Sequence, residues 1–352
     1  MKKAFLSLVA GLLQVACGSN DRGAAIPFTL DAFERIAVSD AAGTVYRNDS
    51  LLLGDPQAIR YHPDGYLVLL DRPNTGQVVV IDLETDSVQH LIKRGRGPEE
   101  IISVRDLAIR DGAIWVSGLA DRKIMKLTRP EGGRAFNLQL VCTASDQFMR
   151  AVPLSGERFL TLASASSGNR FYRLDGEGMT CDTLGSFPFL EQMTEFEPNN
   201  GLFQSEITVS PDEAHTAAVC QSLEYIDIYD ADMQLQKRLQ GPQGIEPAIK
   251  TVKTEMGVFF GQDPLCLVYS NAVSDDRQFM VGYIGVCVED ESDLEEKIGT
   301  VLSFDWKGRP LKAYEFESDI VSFDMDWENN VMYCLANRPE PEIVIYHLDD
   351  LK

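Results

Sequence analysis

Three dipeptides that end in arginine recur along the chain: Asp71-Arg72, Asp121-Arg122 and Asn337-Arg338. An arginine guanidinium presents a planar fork of donors that suits carboxylate and phosphate groups. Arginines at equivalent positions of a repeated unit would therefore form a site for a small anionic ligand or for the C-terminus of a peptide. The alternative is structural: each arginine pairs with an acidic residue of the adjacent unit and joins the two units.

The run from residue 93 to residue 100, KRGRGPEE, carries further arginines. We predict that Arg94 and Arg96 belong to the same ligand- or partner-binding surface. Asp71 and Asp121 are expected to lie beside them.

Residues 289–296, EDESDLEE, form a dense acidic run. Calcium takes roughly six to eight oxygen ligands, so a calcium loop is one interpretation. The run lacks the D-x-D-x-D-G order of such a loop, and a solvated acidic loop is the expectation. The four histidines have no metal-ligand spacing. We therefore expect neither a metal nor a cofactor.

Signals of catalysis are weak. The sequence contains neither a G-x-S-x-G elbow nor an H-E-x-x-H motif. A pair of carboxylates could support glycoside hydrolysis, but among 54 acidic residues some such pair is inevitable. We expect a non-catalytic binding or scaffold protein that presents a loop face to a protein or peptide partner. A hydrolase or lyase acting on carbohydrate or peptide is the alternative.

A repeated element must position these residues, and the sequence contains one. An apolar strand, a tight polar turn, a second apolar strand, a loop and a third strand recur six times, and the turns are 47, 44, 57, 63 and 54 residues apart. Asp-Gly and Asn-Asn turns suit two-residue hairpins. A period near 40–50 residues is typical of propeller blades. The prediction is an all-β, six-bladed β-propeller. The six turns begin at Asp64, Asp111, Ser155, Asp212, Asp275 and Asn329.

The sixth copy ends at His347 and has no fourth strand of its own. Propellers close their ring and so avoid an open edge. We predict that the N-terminal segment supplies the missing outer strand of the last blade, either from Phe33–Val38 or from Val45–Leu53.

Leu67–Asp71, Val78–Asp82 and the loop at residues 93–100 resemble the bacterial six-bladed propellers related to NHL-repeat and TolB-like proteins. In those proteins a G-x-G-P-G-E-F-like loop connects successive blades; here Glu99 replaces a glycine and Ile101 an aromatic residue. The resemblance covers residues 33–348 and implies the fold, not an activity. It also implies that the loops between second and third strands share one face with the loops between blades. The predicted arginines would then surround one mouth of a central channel.

The first residues have the features of an export signal. Lys2 and Lys3 precede a short apolar stretch, and Val15-Ala16-Cys17-Gly18 resembles a lipobox with Gln14 at its usual leucine position. We predict a signal peptide at residues 1–16, lipidation of Cys17, a tether at residues 17–32 and a propeller at residues 33–352. The protein is expected to be an exported, membrane-anchored lipoprotein, with the periplasmic side favoured. Ordinary cleavage that leaves a soluble exported protein is the alternative.

The net charge of −22 becomes −24 without residues 1–16, which contain two lysines and no acidic residue. So acidic a surface repels phosphate backbones and anionic headgroups. Nucleic acid is therefore not expected as a partner, and membrane contact is expected only through the lipid.

Six cysteines remain besides Cys17. Their pairing cannot be deduced from the sequence. Because most lie in apolar runs, buried free thiols are the expectation.

Overall fold

A computed structural model gives the structure of residues 25–72, 76–164, 169–185, 187, 203–245, 248–254, 257–293, 297–338 and 340–351. These residues form antiparallel sheets arranged as a six-bladed propeller, as the repeat predicts. No helix within them has the length and hydrophobicity needed to cross a bilayer.

The first three blades each follow the chain from the innermost to the outermost strand. Blade 1 contains Asp55–His62, Tyr66–Arg72, Gly76–Asp82, Val88–Arg94 and the short Glu100–Ile101. Blade 2 contains Val104–Arg110, Ala113–Gly118, Lys123–Thr128 and Asn137–Thr143. Blade 3 contains Phe148–Leu154, Arg158–Ala163, Phe171–Leu174 and Thr180–Leu184.

The last three blades incorporate strands from the N-terminal segment. Blade 4 contains Ser205–Val209, His215–Cys220, Tyr225–Asp230, Leu235–Gln240 and Ala25–Pro27. Blade 5 contains Leu265–Ser274, Gln278–Val288, Ile298–Asp305, the first part of Pro310–Asp326 and Glu34–Val38. Blade 6 contains the second part of Pro310–Asp326, Val331–Asn337, Pro341–His347 and Thr44–Val45.

The turns between first and second strands have the backbone geometry that their residues predict. Gly65 and Gly112 have φ angles of 83° and 66°. Asp111 and Asn330 also lie in the left-handed region, at 51° and 52°. Aspartate and asparagine tolerate this region better than most residues, which favours a hairpin at these points.

The ring closes through Thr44–Val45, which pairs antiparallel with Ile345 and Val344 in the last blade. This strand lies at the start of the second predicted segment, Val45–Leu53. The other candidate, Phe33–Val38, is placed differently: Glu34–Val38 pairs in parallel with residues 312–316 at the edge of blade 5. Ala25–Pro27, assigned from the sequence to a tether, pairs in parallel with the outer strand of blade 4.

Among the described residues the core consists of seven apolar clusters, and six of them lie between two neighbouring blades. The cluster between blades 4 and 5 also takes in Phe28 and Phe33, which contact the ring of Phe304 at centroid distances of 5.2 Å. Each blade therefore buries its two faces against its neighbours, as expected for a repeat architecture.

Two features differ from the sequence expectation. Cys266 and Cys287 form a disulfide between the first two strands of blade 5, so the prediction of free thiols is wrong for this pair. Cys142, Cys220 and Cys334 are buried free thiols, as predicted, and Cys181 is exposed. A hairpin of Ala248–Thr254 and Gly257–Asp263, absent from the predicted repeat, is inserted between blades 4 and 5.

Candidate functional site

The innermost strands of the blades surround a central channel that contains two cavities. The upper cavity, of about 250 Å³, opens at the end where second strands lead into third strands. The lower cavity, of about 450 Å³, opens at the end where first strands turn into second strands. Five residues line both cavities and so form the waist between them. They are Arg60, Asp106, Leu107, Arg150 and Glu206.

Arg150 is the centre of the waist. Its guanidinium donates to Asp106 Oδ1 at 2.6 Å and, through its other terminal nitrogen, to Glu206 Oε1. The second oxygen of Asp106 accepts the Ala151 backbone N–H. Glu206 Oε1 also accepts from the amide of Gln221. Three blades are joined in this way.

The upper cavity is rich in arginine. Four arginines line it against the carboxylates of Asp106 and Glu206, which gives a formal charge of +2 in a protein of charge −22. Because both carboxylates bond to Arg150, they are already engaged. The four arginines are Arg60, Arg72, Arg105 and Arg150.

Three of these guanidinium groups have no ion pair among the described residues. Arg105 forms neither a hydrogen bond nor an ion pair there and lies partly exposed at the cavity. Arg60 donates to the Ile59 carbonyl and to Asn271 Oδ1 at 3.2 Å. This end of the channel therefore carries cationic donors that remain available to a ligand.

Two carboxyl groups in the channel have shifted pKa values. Burial raises the pKa of Asp106, and the Arg150 guanidinium opposes the shift without cancelling it. Burial likewise raises the pKa of Asp324, in the innermost strand of blade 6, against the attraction of Arg60. Both oxygens of Asp324 accept backbone N–H groups, from Tyr61 and Met325.

Of the predicted arginines, Arg72 reaches the channel. It lines the upper cavity, and its Nη2 donates to the Val104 carbonyl of blade 2 at 3.4 Å. Its Nε is buried and has no hydrogen-bond partner among the described residues. Its guanidinium is thus only weakly engaged by the protein.

Arg122 and Arg338 lie outside the lining of both cavities. Arg122 donates to the Ser145 carbonyl at 2.7 Å, in the connection from blade 2 to blade 3. Arg338 pairs with Asp40 at 3.0 Å and donates to the Tyr346 hydroxyl at 3.1 Å. Arg338 thus makes a structural ion pair of the kind that the sequence left as an alternative, whereas Arg122 bonds to a backbone carbonyl.

The two predicted aspartates hold the chain where it enters a blade. Asp71 is buried and accepts the N–H groups of Gly54 and Asp55, at 3.0 and 2.8 Å. Asp121 accepts the N–H of Ile102 at 3.1 Å, just before blade 2. Their positions explain why an acidic residue recurs at this point of the repeat.

Arg94 and Arg96 are exposed and line neither cavity. Their loop is fixed by a residue that the sequence did not single out. Lys123 Nζ donates to the carbonyls of Gly97 and Glu100, at 2.5 and 2.8 Å.

The acidic run at residues 289–296 and Cys17 lie partly or wholly outside the described residues. In the acidic run, the Asp290 carboxylate accepts the N–H and hydroxyl of Ser292, and residues 294–296 lie outside the described residues. Within the described ranges, no group of three or more histidine, cysteine, aspartate or glutamate side chains is arranged to hold a metal ion. Cys17 also lies outside them.

The waist residues were missed although the sequence contains a signal for them. Most innermost strands carry a charged residue amid apolar ones, whereas the site residues predicted from the sequence were assigned to loops. Since strand side chains alternate between faces, a charge inside the first strand of a repeated unit indicates a side chain at the channel. The charged residues within the innermost strands are Arg60, Arg105, Asp106, Arg150, Glu206 and Asp324.

Comparison with known proteins gives the fold a family context. A family model described as TolB-like 6-blade propeller-like matches residues 44–328. A solved structure from Bacteroides thetaiotaomicron, provisionally described as a phosphatase, is similar with a TM-score of 0.50 and 10% identity, over 83% of this chain and 71% of that one.

Two further structures are similar at lower scores. A protein of Bacteroides fragilis, provisionally described as exported, has a TM-score of 0.48 and 12% identity, over 89% of this chain and 98% of that one. The β-propeller domain of Cps50 (Swd1) from Myceliophteria thermophila has a TM-score of 0.44 and 12% identity, over 86% and 99%. No curated protein matches the sequence.

Proposed function

This chain belongs to the TolB-like six-bladed propeller family, and we propose that it is an exported binding propeller whose upper cavity takes an anionic group of its ligand. The ligand that fits best is a protein or peptide partner presenting a carboxylate, such as a C-terminus. The cavity, of about 250 Å³, suits a terminal residue, and the surrounding loops would contact the rest of the partner.

The observation that carries this proposal is the pair of weakly engaged guanidinium groups of Arg72 and Arg105. Arg150, in contrast, is held by the carboxylates of Asp106 and Glu206. A buried donor without a partner costs about 1–3 kcal/mol, more when it is charged. A ligand carboxylate would supply the acceptors for Arg72 and Arg105.

Export and lipid anchoring are part of the proposal. The basic and apolar N-terminus and Cys17 favour them. The disulfide of Cys266 and Cys287 supports export independently, because disulfides persist mainly in oxidising compartments.

The test compares two probes, acetyl-Ala-Ala-Ala with a free carboxylate and its C-terminal amide, by calorimetry on the full chain. We expect the acid to bind and the amide to bind far more weakly. Arg105→Gln should weaken binding of the acid by about 10- to 100-fold, since a hydrogen bond to a charged group contributes roughly 1.5–3 kcal/mol. The fold should survive, because Arg105 makes no bond among the described residues.

The matched control is Arg94→Gln, which removes an exposed arginine outside the cavity. It should leave the dissociation constant unchanged. Equal binding of acid and amide, or equal effects of the two substitutions, would contradict the proposal. If Arg105→Gln alone weakens binding of the acid, cross-linking in native cells with both variants, followed by mass spectrometry, would identify the natural partner.

A hydrolase or lyase is the second candidate, favoured by the raised pKa of Asp106 and of Asp324. Perturbed carboxyl groups in a cleft are typical of catalytic sites. Binding ranks first because both oxygens of each carboxyl already accept hydrogen bonds from the protein.

A further inference from the structure

The lower cavity differs from the upper one in both charge and shape. It is the larger of the two, at about 450 Å³, and it opens on the opposite face. Five carboxylates and three arginines line it. Its wall on blades 3 and 4 is largely apolar and includes Val152, Pro153, Val209 and Pro211.

The three arginines of this cavity are already bonded within the protein. Arg150 bridges Asp106 and Glu206 in the waist. Arg110 pairs with Glu213 at 2.8 Å and donates to the Pro211 carbonyl. Arg60 bonds to Ile59 and Asn271, and none of these partners belongs to blade 6.

The blade 6 carboxylates that line this cavity have no ion-pair partner among the described residues. Asp324 and Asp326 are only 8% and 6% exposed, line the cavity and form no ion pair with any described residue. Asp324 accepts only backbone N–H groups, and Asp326 accepts two backbone N–H groups, the amide of Asn329 and the hydroxyl of Tyr61. The carboxylate of Glu328, exposed at the rim, completes the set.

A buried carboxylate without a counter-charge is costly, and proteins compensate by protonation or by a cationic partner. Arg60 acts on Asp324 from beyond ion-pair distance, and burial still keeps the pKa of Asp324 raised. Trp327 lines the same cavity between Asp326 and Glu328. A tryptophan face attracts ammonium groups, so it adds a second element of cation recognition.

We infer that the lower cavity is a second binding site, for a primary ammonium group on an apolar stem, as in a lysine side chain or an alkylamine. The ammonium group lies at Asp324, Asp326 and Glu328, beside Trp327. The stem lies against the apolar wall of blades 3 and 4. This site is separate from the proposed anion site, because the ion pairs of Arg150 stand between the two cavities.

The test uses Nα-acetyl-lysine amide and, as a probe without the ammonium group, Nα-acetyl-norleucine amide. Calorimetry on the full chain should show binding of the lysine probe only. Asp324→Asn should weaken it by about tenfold or more, because a buried charged partner is lost. Because Glu328 is exposed, Glu328→Gln should leave the fold intact. It should weaken binding of the lysine probe about threefold. A tryptophan fluorescence change on binding should disappear in Trp327→Phe.

Two controls separate this site from general electrostatics and from the upper cavity. Glu177→Gln removes an exposed carboxylate outside the cavity and should have no effect. Arg105→Gln should leave lysine-probe binding unchanged while it weakens carboxylate binding. Equal binding of both probes, no binding of the lysine probe, or equal effects of Glu328→Gln and Glu177→Gln would overturn the inference.

Discussion

Asp227 of blade 4 shows what a structural arginine–carboxylate contact in this protein looks like. It is fully buried and accepts from Arg170 at 2.5 Å and from Arg238 Nε at 2.7 Å. Arg170 in turn donates to the Tyr229 hydroxyl. Arg72 and Arg105 lack such partners, and this contrast is the reason for assigning them to a ligand.

Removing the charge of Asp227 should therefore be costly. We expect Asp227→Asn to lower the free energy of unfolding by about 3–5 kcal/mol, because it removes the charge of a carboxylate that two buried guanidinium groups share. Asp182→Asn is the matched control: Asp182 faces Arg173 across the equivalent strands of blade 3, but its side chain is 46% exposed and the pair is 3.6 Å apart. For Asp182→Asn we expect the free energy of unfolding to fall by less than about 1 kcal/mol. Urea unfolding at neutral pH measures both, and similar losses would contradict this account.

The same carboxylate should make the protein sensitive to acid. Burial alone would raise the pKa of Asp227, but Arg170 and Arg238 outweigh it and hold the pKa below its ordinary value. A lowered folded-state pKa gives stability that is present above the unfolded-state value, about 3.9, and lost as the pH falls through the folded-state value. Acidification should therefore narrow the stability difference between wild type and Asp227→Asn, and a constant difference from neutral pH to about pH 2 would contradict this.

At the scale of elements, the N-terminal strands form a band along the outer edges of blades 4, 5 and 6. The sequence predicted that this segment closes the ring but left two candidates open. Short apolar runs look alike in sequence, and the edge that each one joins depends on long-range contacts. Such contacts also explain why the hairpin at residues 248–263, which lies outside the repeat, was not predicted.

Phe33 tests whether this band stabilises the propeller. Its side chain is 6% exposed and contacts Phe28 and Phe304. We expect Phe33→Ala to lower the free energy of unfolding by about 3–5 kcal/mol, the usual cost of removing a core phenylalanine. Ile26→Ala in the same band, at a side chain 48% exposed, should cost far less. Chemical denaturation compares them, and a small effect of Phe33→Ala would show that the band contributes little.

At the scale of the whole molecule, the sequence predicted the ring because its information is repeated six times. Each blade needs the same apolar faces, and most turns between first and second strands contain a residue at positive φ, so an ambiguous copy is identified by its likeness to the others. The channel lining is not repeated in this way. Blades 1 to 4 contribute different residues at the waist, such as Arg60, Asp106 or Glu206, and only the closed ring shows which of them meet.

The proposed lipid on Cys17 would hold the molecule on a membrane. If the Cys17 thiol is acylated, cells fed an alkyne analogue of palmitate should label the wild-type protein, and Cys17→Ala should lose the label. Two acyl signals hold a protein on a membrane far more firmly than one, so the labelled protein should also sediment with membranes and enter the detergent phase. Cys181→Ala, which removes the exposed free thiol of blade 3, is the control and should keep the label. An unlabelled wild type, or a labelled Cys17→Ala variant, would show that Cys17 is not the site of a lipid.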